Sequence, residues 1–240
     1  MTTYVLVHGA WHGSWSWSRV VPLLEAEGHR VFAPTLTGVG ERAALLSRDV
    51  TLETHVADVV DLIRAEDLRD VVLVGHSYGG IVARHVADRV PERILSLLFL
   101  DAFVTDDGKS LSDYLPDGGQ IFHDLAAGAG EGWKVPPLPA SMLSVNAADV
   151  EWVESQCTPQ PLATLLAPAK LSGACDRVPG IGYIRASAHE GPFEQFYHSA
   201  GERGWWRAEL PCGHDIMIDM PKELAALLME GRVRAPQMAG

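Results

Sequence analysis

Val71-Val-Leu-Val-Gly-His-Ser-Tyr-Gly-Gly80 decides the reading of this chain. Val71–Val74 is too short and too uniformly apolar for an amphipathic helix, so it forms a strand buried on both faces, as in a parallel sheet. Gly75-His-Ser-Tyr-Gly79 then matches G-x-S-x-G, and Ile81, Val82, Val86 and Val90 follow at helical positions until Pro91 stops the helix. A nucleophilic serine needs a tight strand-to-helix turn that exposes its Oγ, with small residues two before and two after so that the chain can pack there. A helix starting just beyond Ser77 aims free N–H groups and a positive dipole end at the same spot, which favours a developing oxyanion. The pentapeptide alone is a modest signal. Between a buried strand and an amphipathic helix it marks Ser77 as the candidate nucleophile, with an idle serine in a glycine-rich turn as the plain alternative.

Outward from this turn, the same rhythm repeats. Tyr4-Val-Leu-Val7 reads as a strand ended by His8-Gly9, and Val20, Val21, Leu23 and Leu24 give a helix over about 16–27 that stops at Gly28. Arg30–Ala33 is a strand broken by Pro34, a polar loop runs from Thr35 to Asp49, and Leu52, Val56, Val59, Val60 and Ile63 recur at helical spacing. Ile94–Leu100 is the next strand. Alternation of this kind implies βαβ units, hence an α/β fold with a mostly parallel sheet and right-handed crossovers. The rhythm breaks between about Phe103 and Pro179, where glycines and prolines separate short helical pieces at Ala147–Ser155 and Leu162–Leu171. It returns with Gly182–Arg185, a helix near Phe193–Gly201, a strand at Trp205–Leu210 and a last helix marked by Leu224, Leu227 and Leu228. The expected division is a core over 1–103 and 181–240, with an inserted, mainly helical lid over 104–180. Residues 232–240 read as a frayed tail.

Composition narrows the function. The 240 residues carry 19 Lys+Arg against 31 Asp+Glu, a net charge of −12. That field repels phosphate backbones, and no basic cluster offsets it, so nucleic-acid binding is excluded. No stretch approaches the roughly 20 apolar residues of a membrane span. Cys157, Cys175 and Cys212 are few, odd in number and without metal-ligand spacing, so no metal is expected. With a first strand beginning almost at the N-terminus and no signal-peptide pattern, they point to a reduced cytoplasmic chain. A homodimer is left open.

The remaining chemistry sits at strand ends. A serine on such a turn needs one oxyanion donor from the residue after it and one from an early strand–helix loop; these are the backbone N–H groups of Tyr78 and Ala10, with Gly9 permitting the close approach. The base must come later in the chain, and Gly213-His214-Asp215 follows the last strand, so His214 stands out among ten histidines by position. His8 reads as structural, and His76, His85, His123, His189 and His198 as surface or structural residues. Gly9, Trp11, His12 and Phe103 are expected at the substrate pocket, with Trp15, Tyr78, Phe122, Trp133 and Trp152 as further aromatic candidates.

Val5-Leu-Val-His-Gly-Ala-Trp-His-Gly-Ser-Trp15, Pro22-Leu-Leu-Glu-Ala-Glu-Gly-His29, the stretch Val72–Gly80 and Gly213-His214 together resemble the α/β-hydrolase superfamily, within it the plant methylesterase and hydroxynitrile-lyase group and its bacterial esterase relatives. The resemblance spans nearly the whole core in order, and the insertion only loosely. It implies an α/β-hydrolase fold, a Ser77–His214 pair, oxyanion donors at Ala10 and Tyr78, a helical lid and no cofactor. The lyases of the group carry a threonine after the first-strand histidine and a lysine after the catalytic histidine; here those positions are Gly9 and Asp215, and an anion there would repel cyanide, so ester hydrolysis is favoured. The relatives usually supply the triad acid in the loop after the strand that is Gly182–Arg185 here, but that position is His189, with Glu190 and Glu194 the nearby carboxylates. Asp101, which ends Ile94–Leu100 where the plant enzymes carry a non-acidic residue, can reach the same imidazole from the neighbouring strand, and is preferred to Glu190. Its structural alternative is a turn cap for Ala102–Thr105.

The expected reaction is acyl transfer to Ser77 from a small, largely apolar ester with an aromatic or medium-chain acyl group, followed by hydrolysis. Activity then falls as pH drops through about 6.5, where a working imidazole base gains its proton. The rival readings are a lyase or C–C hydrolase using the same triad, and a small-molecule-binding protein on a hydrolase scaffold.

Overall fold

The computed structural model describes residues 1–231, so the tail expected over 232–240 lies outside the described residues. Apolar runs and helical patterns alternate as β1 (Thr3–Val7), α1 (Val21–Ala26), β2 (Arg30–Phe32), α2 (Leu52–Ala65), β3 (Val71–His76), α3 (Gly79–Arg89) and β4 (Ile94–Leu100). An irregular stretch then holds α4 (Gln120–Gly128), β5 (Lys134–Val135), α5 (Val150–Gln156), β6 (Gln160–Pro161) and α6 (Leu162–Leu166). The chain returns through β7 (Gly180–Ala186), α7 (Glu194–Glu202), β8 (Trp206–Leu210), α8 (Ile216–Asp219) and α9 (Pro221–Gly231).

Six strands form one sheet in the order β2-β1-β3-β4-β7-β8, every neighbouring pair parallel. Side chains of a strand alternate between faces, and the two cores follow that period. Val5, Val7 and Leu73 pack on one face with Val56 and Val59 of α2 and Val82 and Val86 of α3. Tyr4, Leu6, Val72 and Val74 pack on the other with Leu24 of α1 and Leu224 and Leu228 of α9. Every residue of β3 is buried, as its unbroken apolar run requires. Because β1, β3, β4 and β7 are adjacent and parallel, the loops after them emerge side by side at one sheet edge, the place where open α/β sheets bind ligands.

Two helices are shorter than their patterns suggest. The segment 16–27 splits into a 3₁₀ turn, Ser14–Trp17, and α1, with Pro22 in the first turn of α1 where a missing N–H costs nothing. The pattern Leu162–Leu171 yields helix only to Leu166, because Pro168 forces Ala167 into an extended conformation (φ −65°, ψ 125°).

The turn between β3 and α3 is packed to the limit. A Cβ at Gly79 would be driven into the carbonyl oxygen of His8 and lie 2.6 Å from that of Val7, both backbone atoms of β1 and its loop. Gly79→Ala must therefore lever α3 away from β1. A loss of about 1–3 kcal/mol is expected, read as a lowered thermal midpoint; an unchanged midpoint would mean the helix can shift freely.

Candidate active site

Ser77 follows β3 with φ 53°, a left-handed conformation that costs a non-glycine residue about 1–2 kcal/mol. Backbone bonds hold it there: the Ser77 N–H donates to the Leu100 carbonyl (3.2 Å), and the Ser77 carbonyl accepts from Gly80 N–H (3.0 Å) and Phe103 N–H (3.1 Å). The consequence is a half-buried hydroxyl at the head of α3, without a hydrogen-bond partner among the described residues. This is the geometry that a serine nucleophile on a strand–helix turn needs.

Asp101 follows β4 and is also left-handed, at φ 40°. Its N–H continues the ladder to the Ile184 carbonyl (2.7 Å), while the Tyr183 hydroxyl accepts from the N–H of Ala102 and donates to its carbonyl, both at 2.8 Å. So fixed, the Asp101 carboxylate accepts from Ala186 N–H at one oxygen (3.2 Å) and from His214 Nδ1 at the other (2.7 Å). Asp101 is 1% and His214 3% exposed, so this charge-assisted bond is shielded from water. His214 follows β8, its N–H bonded to the Leu143 carbonyl (2.9 Å) and its ring stacked on Phe193 at 4.6 Å. With Nδ1 committed to Asp101, Nε2 is the nitrogen left to act as base. Glu190 is exposed at the pocket rim and makes no hydrogen bond to His214.

Ser77 and His214 line a common cavity of ≈ 190 Å³ whose walls are Trp11, Tyr78, Phe103, Phe122 and Phe193 from the aromatic stock, with Leu111, Leu138, Leu143 and Leu165 from the insertion. Ala10 and Tyr78 sit at its floor, and no hydrogen bond engages the backbone N–H of either among the described residues. The neighbouring Trp11 N–H is already taken by Gln160 Oε1 of the insertion (3.1 Å), and Trp11 Nε1 by the Val135 carbonyl (3.1 Å). The insertion is thus stitched to the loop after β1.

Two expected pocket residues are not there. Gly9 is covered: a Cβ on it would lie 2.9 Å from His76 Nδ1 and 3.0 Å from Ser77 Cβ. The threonine of the lyases cannot stand at this position while His76 occupies the adjoining space. His12 is 2% exposed and turned beneath the loop, with Nδ1 2.6 Å from the Ala10 carbonyl and Nε2 3.1 Å from Asp215 Oδ2. Asp215 is correspondingly turned away from the cavity, so it does not face a leaving anion; what remains of the argument against cyanide is that no lysine or arginine among the described residues lines the cavity. Trp15 and Trp152 pack edge to face on each other at 5.3 Å, and Trp133 lies under Arg48 and Lys134, all three away from the cavity. Conversely His189, expected to be structural, lines the cavity 5.0 Å from the His214 ring. Burial, then the neighbouring His214, pushes its imidazole down to about 4, so it stands there neutral. Irregular lid segments lack a period, which is why their wall residues give no sequence signal.

Asp101, His189 and His214 offer ligand atoms within 4.8 Å of one another. Two atoms bound to one zinc at ~2.0–2.2 Å stand ~3 Å or more apart, whereas His214 Nδ1 and Asp101 Oδ2 are 2.7 Å apart. The pair is hydrogen-bonded, at a separation too short for two ligands of one zinc ion.

The sequence profile of the Alpha/beta hydrolase family matches residues 4–227. The chain belongs to that family. It is 46% identical over 241 residues to a carbendazim hydrolyzing esterase of Nocardioides sp. (strain SG-4G), covering 95% of this chain and 98% of the relative. The solved structure of an extracellular alpha/beta-hydrolase from a Paenibacillus species, which shares structural and functional homology with tobacco salicylic acid binding protein 2, matches with a TM-score of 0.84 at 28% identity over 96% of this chain and 99% of that one. An alpha-hydroxynitrile lyase of Arabidopsis thaliana is 38% identical over 104 residues only, 43% of this chain and 40% of the relative. The chain is a serine-hydrolase-type α/β-hydrolase of small ester substrates. The expectation of a cytoplasmic chain is corrected: the Paenibacillus structure is of an extracellular enzyme and points away from the cytoplasm. Three free cysteines cannot decide the compartment, since a chain without disulfides is compatible with either side of a membrane.

Proposed function

We propose that the chain is a serine esterase for small, neutral, flat esters, carbamate esters among them, with Ser77 as nucleophile, His214 as base and Asp101 as the acid that orients it. The observation that carries this reading is the 2.7 Å bond from His214 Nδ1 to Asp101 at the wall of a cavity whose floor is Ser77. His214 Nε2 removes the Oγ proton as Ser77 attacks the ester carbonyl, the oxyanion is received by the N–H groups of Ala10 and Tyr78, and the imidazolium returns the proton to the leaving alcohol. Water then takes the serine's place and frees the acid. Core segments 1–103 and 181–240 supply this machinery, and 104–180 acts as the lid that keeps the cavity dry.

Size and charge define the substrate. An apolar cavity of about 150 Å³ admits benzene, so ≈ 190 Å³ suits one or two flat rings better than a long acyl chain. Its titratable lining is Tyr78, His189, Glu190 and His214, with no lysine or arginine among the described residues to receive a carboxylate. Carbendazim, the compound named for the Nocardioides relative, is accordingly a direct test. Of two aryl methyl esters of equal shape, one neutral and one bearing a ring carboxylate, the neutral one is expected to have a kcat/KM at least about tenfold higher, since burying an unpaired carboxylate is costly. Equal values would refute the neutral-substrate reading. Cleavage of cyanohydrins or diketones without any ester would replace it by lyase or C–C hydrolase chemistry.

A further inference from the structure

The buried histidines differ in what answers their ring nitrogens. His8 faces the Gly9 carbonyl through Nδ1 (2.8 Å) and accepts the Leu36 N–H at Nε2 (3.0 Å), one donor and one acceptor, as a neutral ring requires. His55 faces the Thr37 carbonyl through Nε2 (2.9 Å) and the Tyr78 hydroxyl through Nδ1 (2.9 Å), and is neutral by the same count. Burial pushes the two imidazoles down to about 3 and about 4. His12 is unlike them. Both its nitrogens face acceptors, the Ala10 carbonyl and the Asp215 carboxylate, and only a ring with N–H on both sides satisfies both. Burial opposes charge on His12 and on Asp215, but their mutual attraction and hydrogen bond outweigh it, moving the imidazole up and the carboxyl well below its usual range.

The location gives the pair its meaning. One end grips the carbonyl of Ala10, whose N–H is the proposed oxyanion donor; the other end is the residue directly after His214. We propose that His12, held as an imidazolium on Asp215, is a positioning residue that keeps the Ala10 loop and the His214 loop in register on either side of Ser77. The inference rests on the serine-esterase reading above. Buried ion pairs are weak evidence of stability, and in some proteins they serve instead to fix one geometry; an oxyanion donor works only when aimed where charge develops. The groups around His12 are Asp215 ahead of α8, His76 at the end of β3 (ring centroids 6.0 Å) and His8 after β1; Asp215 itself feels His214 and Cys157 beyond α5 and has His76 Nε2 3.7 Å from its Oδ1, and Trp15 stacks on the His12 face at 5.0 Å.

The first test needs no variant. ¹⁵N-edited NMR of histidine-labelled protein is expected to show both His12 nitrogens protonated at neutral pH, and a neutral His12 tautomer overturns the inference. The second is His12→Gln, which removes the charge and keeps one donor. Loss of a whole oxyanion donor costs about 10²–10³ in kcat, so misaiming one is expected to lower kcat about 10- to 100-fold with KM changed by less than about threefold. Should the unpaired Asp215 prevent folding, the double variant His12→Gln/Asp215→Asn restores a neutral hydrogen-bonded pair and is expected to fold with the same kcat loss. Unchanged kcat in whichever variant folds overturns the inference. Failure of a fluorophosphonate to label Ser77 in the unmodified protein overturns instead the esterase reading beneath it.

Discussion

Ser77→Ala is expected to lower turnover of a chromogenic acetate ester by roughly 10⁶-fold while leaving thermal unfolding essentially unchanged. The size follows from how such groups work: nucleophile, base and acid act as a unit, and in subtilisin removing the serine alone costs about as much as removing all three, roughly 10⁶ in kcat. The stability half follows from the turn. Ser77 is held at φ 53° by backbone bonds to Leu100, Gly80 and Phe103, all of which alanine retains, and its Oγ makes no hydrogen bond among the described residues that would be lost. A drop in activity accompanied by unfolding would therefore contradict the account of the turn. Activity within tenfold of the parent enzyme would remove Ser77 as nucleophile. The remaining catalysis, about 10³–10⁴ over water in enzymes of this type, belongs to the oxyanion donors and binding. A fluorophosphonate that leaves the unmodified protein unlabelled would favour a binding protein on a hydrolase scaffold.

What could be read in the chain and what could not separate along one line. The sheet was legible because Val71–Val74 of β3 is an uninterrupted apolar run and β4 is apolar but for Ser96, and such runs have one good solution, burial on both faces. The strand–helix turn that carries Ser77 was legible because its determinants are local: two glycines and a helix start make the turn. The contact between Asp101 and His214 came within reach because a residue just past a strand end is fixed relative to the next strand, whatever lies between them in sequence. His12 and Gly9 were misplaced for the converse reason. They sit in the same short loop as Ala10, at the correct edge, but the direction of a loop side chain is set by what it bonds, and the partner of His12 is Asp215, 203 residues away. The reading of Asp215 as an anion facing the substrate failed with it. His189 was likewise grouped with the surface or structural histidines, whereas its place beside His214 depends on the loop after β7 folding over the cavity. The lid walls Leu111 and Leu138 carry no periodic signal because they come from short irregular segments, and Leu165 of α6 meets them only in three dimensions.

Asp101→Asn is expected to lower kcat by about 10⁴-fold, the loss seen when the aspartate of a serine–histidine–aspartate triad becomes an amide. The geometry here gives the reason. One oxygen of Asp101 accepts from Ala186 N–H, so an asparagine keeps its carbonyl oxygen on that donor and turns its NH₂ toward His214 Nδ1. An NH₂ can only donate, which leaves Nδ1 as acceptor and places the ring proton on Nε2, the nitrogen that must be free to take a proton from Ser77. The imidazole is then in place but in the wrong tautomer. Glu190→Gln, at the exposed rim and without a bond to His214, is expected to change kcat by less than about threefold. Steady-state kinetics on both variants decides between the carboxylates, and ¹⁵N shifts of His214 in Asp101→Asn report the tautomer independently. A large loss in Glu190→Gln with near-normal activity in Asp101→Asn would mean that the lid and the loop after β7 rearrange in the working enzyme to bring the rim carboxylate onto His214, with the 2.7 Å bond serving only to anchor the turn after β4.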